Sequence, residues 1–245
     1  MLAIIGGTGL TQLSTLAVAH REVVRTPYGE PSSALVFGEL AGRAAVFLAR
    51  HGHGHTIPPH RVNYRANLWA LKQRGAHAVL AVAAVGSIRD CLPGDLVVPH
   101  QLIDYTAGRA HTLFDGADQK VVHVDFTHPY TPAFRARCLE AARAGNIAVR
   151  DGGVYGAVSG PRLETAAEID RMERDGATLV GMTGMPEAVL ARELDLPYAA
   201  LCVVVNHAAG RGDSAERVSM ERIAKVLHTT MERVHAVLQQ LAPLA

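Results

Sequence analysis

Residues 47–55 read F-L-A-R-H-G-H-G-H, an apolar run that ends abruptly in an arginine, three histidines and two glycines. Arg50 carries a planar fork of donors that matches a phosphate, and the imidazoles of His51 and His55 can add hydrogen bonds according to their protonation. Glycines that tolerate positive φ let the backbone turn sharply, so that these side chains gather around one point. The ligand this chemistry favours is an anion, with phosphate first. Two other readings stay open. His51, His53 and His55 alternate, so in an extended segment they could share one face and hold a transition metal. Residues 56–59, which lead on to His60, add Thr56, Ile57, Pro58 and Pro59 but no carboxylate or cysteine. Alternatively, the stretch is a solvated loop whose histidines have no special role.

The elements that must position this stretch follow from apolar runs and glycine turns. Residues 2–5 and 43–49 read as strands, the latter paired as a hairpin with residues 34–37. Residues 79–85 are almost wholly apolar, the pattern of a central strand buried on both faces. Shorter strands are expected at 96–98, 102–103, 149–158 and 178–180, and a further one at 198–205. Helices are predicted over 63–74, with Trp69 in the core, and over 131–145, 166–174, 188–193 and 219–241. Residues 106–129 are polar, irregular and rich in histidine, and residues 181–187 read as a loop. Strands and helices alternate, so the expected fold is α/β, a single domain spanning residues 1–245 with a mixed twisted sheet flanked by helices.

Bulk properties narrow the partners. The chain has 245 residues, with 24 Lys plus Arg against 23 Asp plus Glu. A net charge of +1 gives no electrostatic reason to expect nucleic acid or an anionic membrane. Cys91, Cys138 and Cys202 are far apart in sequence and suit reduced packing thiols. No apolar stretch approaches the roughly 20 residues a membrane-spanning helix needs. The N-terminal M-L-A-I-I-G-G-T-G reads as a strand and turn rather than a signal peptide, so a cytoplasmic location is expected.

Five strand ends carry small or polar residues: Thr8, Arg50 with His51, Ala84 to Ser87, Met182 with Thr183, and Asn206. A pocket along the carboxyl edge of a sheet needs that arrangement. No G-x-S-x-G is present and no cysteine sits in a glycine turn, which disfavours covalent catalysis.

At this point the chain resembles the trimeric purine nucleoside phosphorylases, and within them the 5'-methylthioadenosine phosphorylases. The resemblance rests on I-I-G-G-T-G-L at 4–10, R-T-P-Y-G-E-P-S at 25–32, A-R-H-G-H-G-H-T-I at 49–57 and V-N-Y-R-A-N-L-W-A-L at 62–71. It continues in S-G-P-R at 159–162 and G-M-T-G-M-P-E at 181–187. It implies a phosphate site from Thr8, Arg50, His51, His55, the backbone at Ala84, and Thr183, with Met182 under the ribose. It also implies inorganic phosphate as co-substrate with no other cofactor and no metal. A homotrimer is implied as well, in which His123 reaches a neighbour's sugar site. Where such enzymes usually carry threonine before Gly86, Ala83 has no hydroxyl, and Leu163 stands where an aromatic often flanks the base.

Adenine-specific members of the family carry aspartates where this chain has Asn206 and Ala208. A 6-oxopurine presents an acceptor at O6 that the amide of Asn206 can satisfy, which makes Asn206 the expected catalytic residue; merely capping the loop is the simpler alternative. Members that take ordinary nucleosides place a histidine near the 5'-hydroxyl, where this chain has Met220 beside Ile223, apolar neighbours suited to a thioether. Met220 could instead be plain helix core. The expectation is phosphorolysis of S-methyl-5'-thioinosine. The alternatives are methylthioadenosine, a general 6-oxopurine nucleoside, or a non-catalytic nucleotide-binding module.

Overall fold

Four nearly unbroken apolar stretches, Leu2–Gly6, Arg43–Ala49, Ala78–Ser87 and Tyr198–His207, form the centre of the sheet. A strand with helices on both sides must be hydrophobic on both faces, and these are. The computed structural model describes residues 1–116 and 120–245. Its strands are β1 (Leu2–Gly6), β2 (Ala17–Glu22), β3 (Leu35–Leu40), β4 (Arg43–Ala49), β5 (Ala78–Ser87), β6 (Leu96–Val98), β7 (Gln101–Asp104), β8 (Arg150–Asp151), β9 (Val154–Ala157), β10 (Leu179–Gly181) and β11 (Tyr198–His207). Its α-helices are α1 (Tyr64–Gln73), α2 (Pro132–Ala144), α3 (Ala166–Arg174), α4 (Gly184–Glu193) and α5 (Met220–Leu241).

One mixed sheet runs β2-β3-β4-β1-β5-β10-β9-β7, and β11 lies along β5 and carries β6 and β8 beyond it. Side chains alternate across β1, so each face builds its own core. Ala3 and Ile5 pack with Leu68 and Leu71 of α1 and Leu190 of α4. Leu2 and Ile4 pack with Phe134 and Cys138 of α2 and Leu227 and Val234 of α5. Each such fully buried side chain contributes about 1.5–3 kcal/mol of transfer free energy.

The sheet divides at β5. One edge of β5 is paired with β11 from residue 79 to residue 87. The other edge pairs with β1 only over residues 78–81 and with β10, antiparallel, only at residues 86 and 87. Residues 82–85 have no strand beside them on that second edge, and the fork opens where the site must lie.

Four sequence expectations change. β2 was not foreseen, because A-V-A-H-R-E is exposed along most of its length and shows no apolar period; it exists through its pairing with β3. Residues 149–158 are two strands, not one. Gly152 and Gly153, at φ +107° and +112°, turn the chain between β8, on β6, and β9, between β7 and β10. Of residues 181–187 only Met182 and Thr183 are loop, since Gly181 ends β10 and α4 begins at Gly184 with a kink at Met185. Trp69 is half-buried against the core, whereas Asn67 is fully buried and clamps Ser32 through its amide. Residues 117–119 of the irregular 106–129 stretch lie outside the described residues; the others form no helix or strand.

Candidate active site

The strand ends converge on a cavity of about 540 Å³. Thr8, Arg50, His51, His55, Ala84, Leu163, Met182, Thr183, Asn206, Met220 and Ile223 line it, together with Gly7 and Glu164. Ala208 does not. It is buried at 1% exposure among Ile88, Ile169 and Val180, because the chain turns inward past β11 and its N–H donates to the Ser87 carbonyl. His123 is exposed and does not line this chain's own cavity.

The anion end differs from the free fork expected of Arg50. Its Nε and Nη2 donate to the two carboxylate oxygens of Glu187 at 2.7 and 2.9 Å, and Nη1 donates to the Val82 carbonyl at 3.0 Å. Of five guanidinium N–H groups, one remains on each terminal nitrogen, so Arg50 keeps two donors for an anion. Both partners of this pair are fully buried, and Tyr198 Oη adds a donor to Glu187 at 2.8 Å. Burial works to lower the guanidinium pKa, but the Glu187 carboxylate more than reverses it, and the group is held charged. Gly7 permits the first turn to approach, since a Cβ there would stand 2.8 Å from Nη1. Glu187 closes the G-M-T-G-M-P-E stretch and is fully buried in the first turns of α4, a role not foreseen from the sequence.

His51 is also more restricted than expected. Its Nδ1 lies 2.8 Å from the Ile57 carbonyl and must donate to it. Burial, then the neighbouring Arg50 charge, lowers its pKa to about 4. The ring is therefore neutral, its only N–H is spent, and its Nε2 is an acceptor. His55 sits beside it with ring centroids 4.8 Å apart, while His53 is exposed and outside the cavity. Among the described residues, no three His, Cys, Asp or Glu side chains form a metal-sized cluster.

The fork in the sheet supplies another donor. Backbone groups of alternate strand residues point to the same edge. The Val82 carbonyl meets Arg50 on the unpaired edge, and the Ile88 N–H meets Thr178 on the same side. Ala84 thus presents its N–H to that open edge, inside the cavity. Thr183 heads α4 without a capping bond from its side chain, its N–H donates to Tyr155 Oη at 3.3 Å, and half-buried Thr8 lines the same cavity.

At the opposite end, Asn206 donates from Nδ2 to the His207 carbonyl at 2.6 Å. That bond fixes which end of the amide is nitrogen and leaves one N–H and Oδ1 available. Glu164, missed in the sequence, lines the same cavity; burial raises its pKa, and it forms no salt bridge among the described residues. Between the ends the wall is apolar. Met182 packs on Gly160, where a Cβ would stand 2.4 Å from its sulfur, and Met220 and Ile223 come from the first turn of α5. None of the three cysteines lines the cavity.

The strand ends of the α/β sheet thus place hydrogen-bond donors at one end of the cleft and the Asn206 amide with Glu164 at the other, with an apolar wall between. The chain belongs to the phosphorylase superfamily, whose family model matches residues 1–243. It is 53% identical over 240 residues to a protein of Pseudomonas syringae pv. tomato named probable S-methyl-5'-thioinosine phosphorylase, covering 98% of this chain and 97% of that one. It is 43% identical to a probable 6-oxopurine nucleoside phosphorylase of Dictyoglomus turgidum, covering 99% and 90% of the two chains. Among solved structures, methylthioadenosine phosphorylase from Schistosoma mansoni in complex with adenine superposes with a TM-score of 0.95 at 32% identity, covering 99% of this chain and 91% of that one.

Proposed function

We propose that the protein is a pentosyltransferase that cleaves S-methyl-5'-thioinosine with inorganic phosphate, giving hypoxanthine and 5-methylthioribose 1-phosphate, with no further cofactor. The observation that carries this reading is the anchored amide of Asn206. With one N–H tied to the His207 carbonyl, the other N–H suits O6 of a 6-oxopurine, and Oδ1 suits a protonated ring nitrogen of the departing base. Glu164 in the same wall suits the N1–H that a 6-oxopurine carries and a 6-aminopurine lacks. A mismatched base would leave a buried polar group unpaired, at about 1–3 kcal/mol. The names of the Pseudomonas and Dictyoglomus relatives support the 6-oxopurine choice.

In this reaction the C1'–N9 bond breaks toward an oxocarbenium-like state. Its electron pair leaves with the purine, where Asn206 stabilises the growing charge, and a phosphate oxygen closes on C1'. Thr8, Arg50, the Ala84 N–H and Thr183 hold the phosphate, with His51 and His55 beside it. Leu163 and Met182 contact base and ribose, and Met220 and Ile223 receive the methylthio group. Catalysis is then positioning and electrostatics. The working assembly is a homotrimer in the cytoplasm, with a neighbour's His123 at the sugar end.

The test is purine release from methylthioinosine, methylthioadenosine and inosine in parallel, with and without phosphate. Phosphate-dependent cleavage with methylthioinosine preferred is the expected result. Preference for methylthioadenosine would overturn the role of Asn206, and preference for inosine that of Met220. Saturable binding with no cleavage of any of the three would make the chain a binding module.

A further inference from the structure

The amide of Asn206 is oriented by a chain of contacts that leads out of the cavity. The β5–β11 ladder shifts register between Val204 and Asn206, a local irregularity of the kind that re-aims a side chain at a strand end. Asn206 then donates to the carbonyl of His207 at 2.6 Å. The ring of His207 is itself held, its Nδ1 lying 2.7 Å from Oδ1 of Asp213 and donating to it. Gly212, at φ +45°, lets the turn press against the imidazole, since a Cβ there would come within 2.7 Å of the ring. The second oxygen of Asp213 accepts from Nη1 of Arg222 at 3.3 Å. Arg222 lies in the first turn of α5, between Met220 and Ile223.

From this we propose that Asp213 is a positioning residue for base recognition. Acting through His207, it sets the orientation of the Asn206 amide, and through Arg222 it fixes that amide relative to the α5 turn that carries Met220 and Ile223. The proposal rests on the base-reading role of Asn206 given above. Asp213 does not line the cavity. It makes one rigid unit of the strand end that reads the purine and the helix start that reads the 5'-substituent, and both lie in the one cavity. A side chain held by a short, charge-assisted bond keeps the backbone carbonyl beside it in register as well.

The experiment compares the wild type with Asp213→Ala and Asp213→Asn. Asparagine keeps an acceptor for the His207 N–H and gives up the charge toward Arg222. Steady-state kinetics with methylthioinosine and methylthioadenosine are measured at varied phosphate, and hypoxanthine and adenine affinities by calorimetry. In Asp213→Ala, kcat for methylthioinosine should fall roughly tenfold or more, the scale expected when a reacting group is misplaced. Its hypoxanthine-to-adenine affinity ratio should move toward unity, while KM for phosphate stays unchanged; Asp213→Asn should recover most of both losses. Unchanged kcat and unchanged affinity ratio in Asp213→Ala would overturn the proposal. So would a loss shared equally by base affinity, phosphate KM and folded yield, which marks general destabilisation. If the wild type itself prefers adenine, the 6-oxopurine reading falls. The Asp213 proposal is then still decided by whether Asp213→Ala changes the affinity ratio.

Discussion

At the scale of single residues, the anion end of the cavity is built on a fully buried Arg50–Glu187 pair. Arg50 and His51 both reach the cavity, but Glu187 has taken two of the five Arg50 donors and the Ile57 carbonyl the one N–H of neutral His51. Neither partner was legible, because Glu187 lies 137 positions away and a carbonyl has no letter of its own. Glu187 keeps Arg50 charged in a buried place, and removing one partner of such a pair costs about 3–5 kcal/mol. A pH dependence follows at His51. Its folded pKa, about 4, lies below the ordinary 6.5, so between these values the unfolded chain binds a proton that the folded chain refuses. Stability should therefore fall as pH drops from 6.5 toward 4 and lose nothing more to this group below that. Urea unfolding at pH 7 and pH 4.5 checks it: His51→Gln should show a smaller loss than the wild type between the two.

At the scale of elements, the runs buried on both faces were legible because continuous hydrophobicity needs no partner to be recognised. β1, β4, β5 and β11 were all read, as were α3, to its last residue, and α5, to within one residue of its start. What failed was what pairing alone creates: the exposed β2, and the division of residues 149–158 at two glycines. The first turn of α5 carries Met220 and Ile223, the residues proposed above to receive the methylthio group. Ser219 caps it by accepting from the Arg222 N–H at 3.3 Å. Replacing such a cap by alanine costs about 1 kcal/mol. Fraying there would loosen Met220 and Ile223 together. Ser219→Ala should therefore raise KM for methylthioinosine more than for inosine, narrowing the preference between them, with phosphate KM unchanged. Equal effects on both nucleosides would separate the turn from 5'-recognition.

At the scale of the whole molecule, the cavity of one chain stays open on the side of its apolar wall. Met220 is 65% exposed and Leu163 40%, unusual for residues proposed to seat a thioether and a purine. A neighbouring copy that brings His123 to this mouth would close it. Sedimentation equilibrium should give three times the chain mass, and His123→Ala should slow cleavage without changing that mass. A fully active monomer would remove the neighbour from the site. The expected trimer rests on resemblance alone, since composition carries no trace of it. The fork at β5 bears on a different matter, the freedom of this site to drift over generations. Ala83 has no hydroxyl, yet the Ala84 N–H on the open edge belongs to the peptide chain itself. Any replacement at that position other than proline, which has no N–H, leaves the donor in place. Selection can therefore relax its hold on the side chains lining the fork while the same backbone donor stays on offer there.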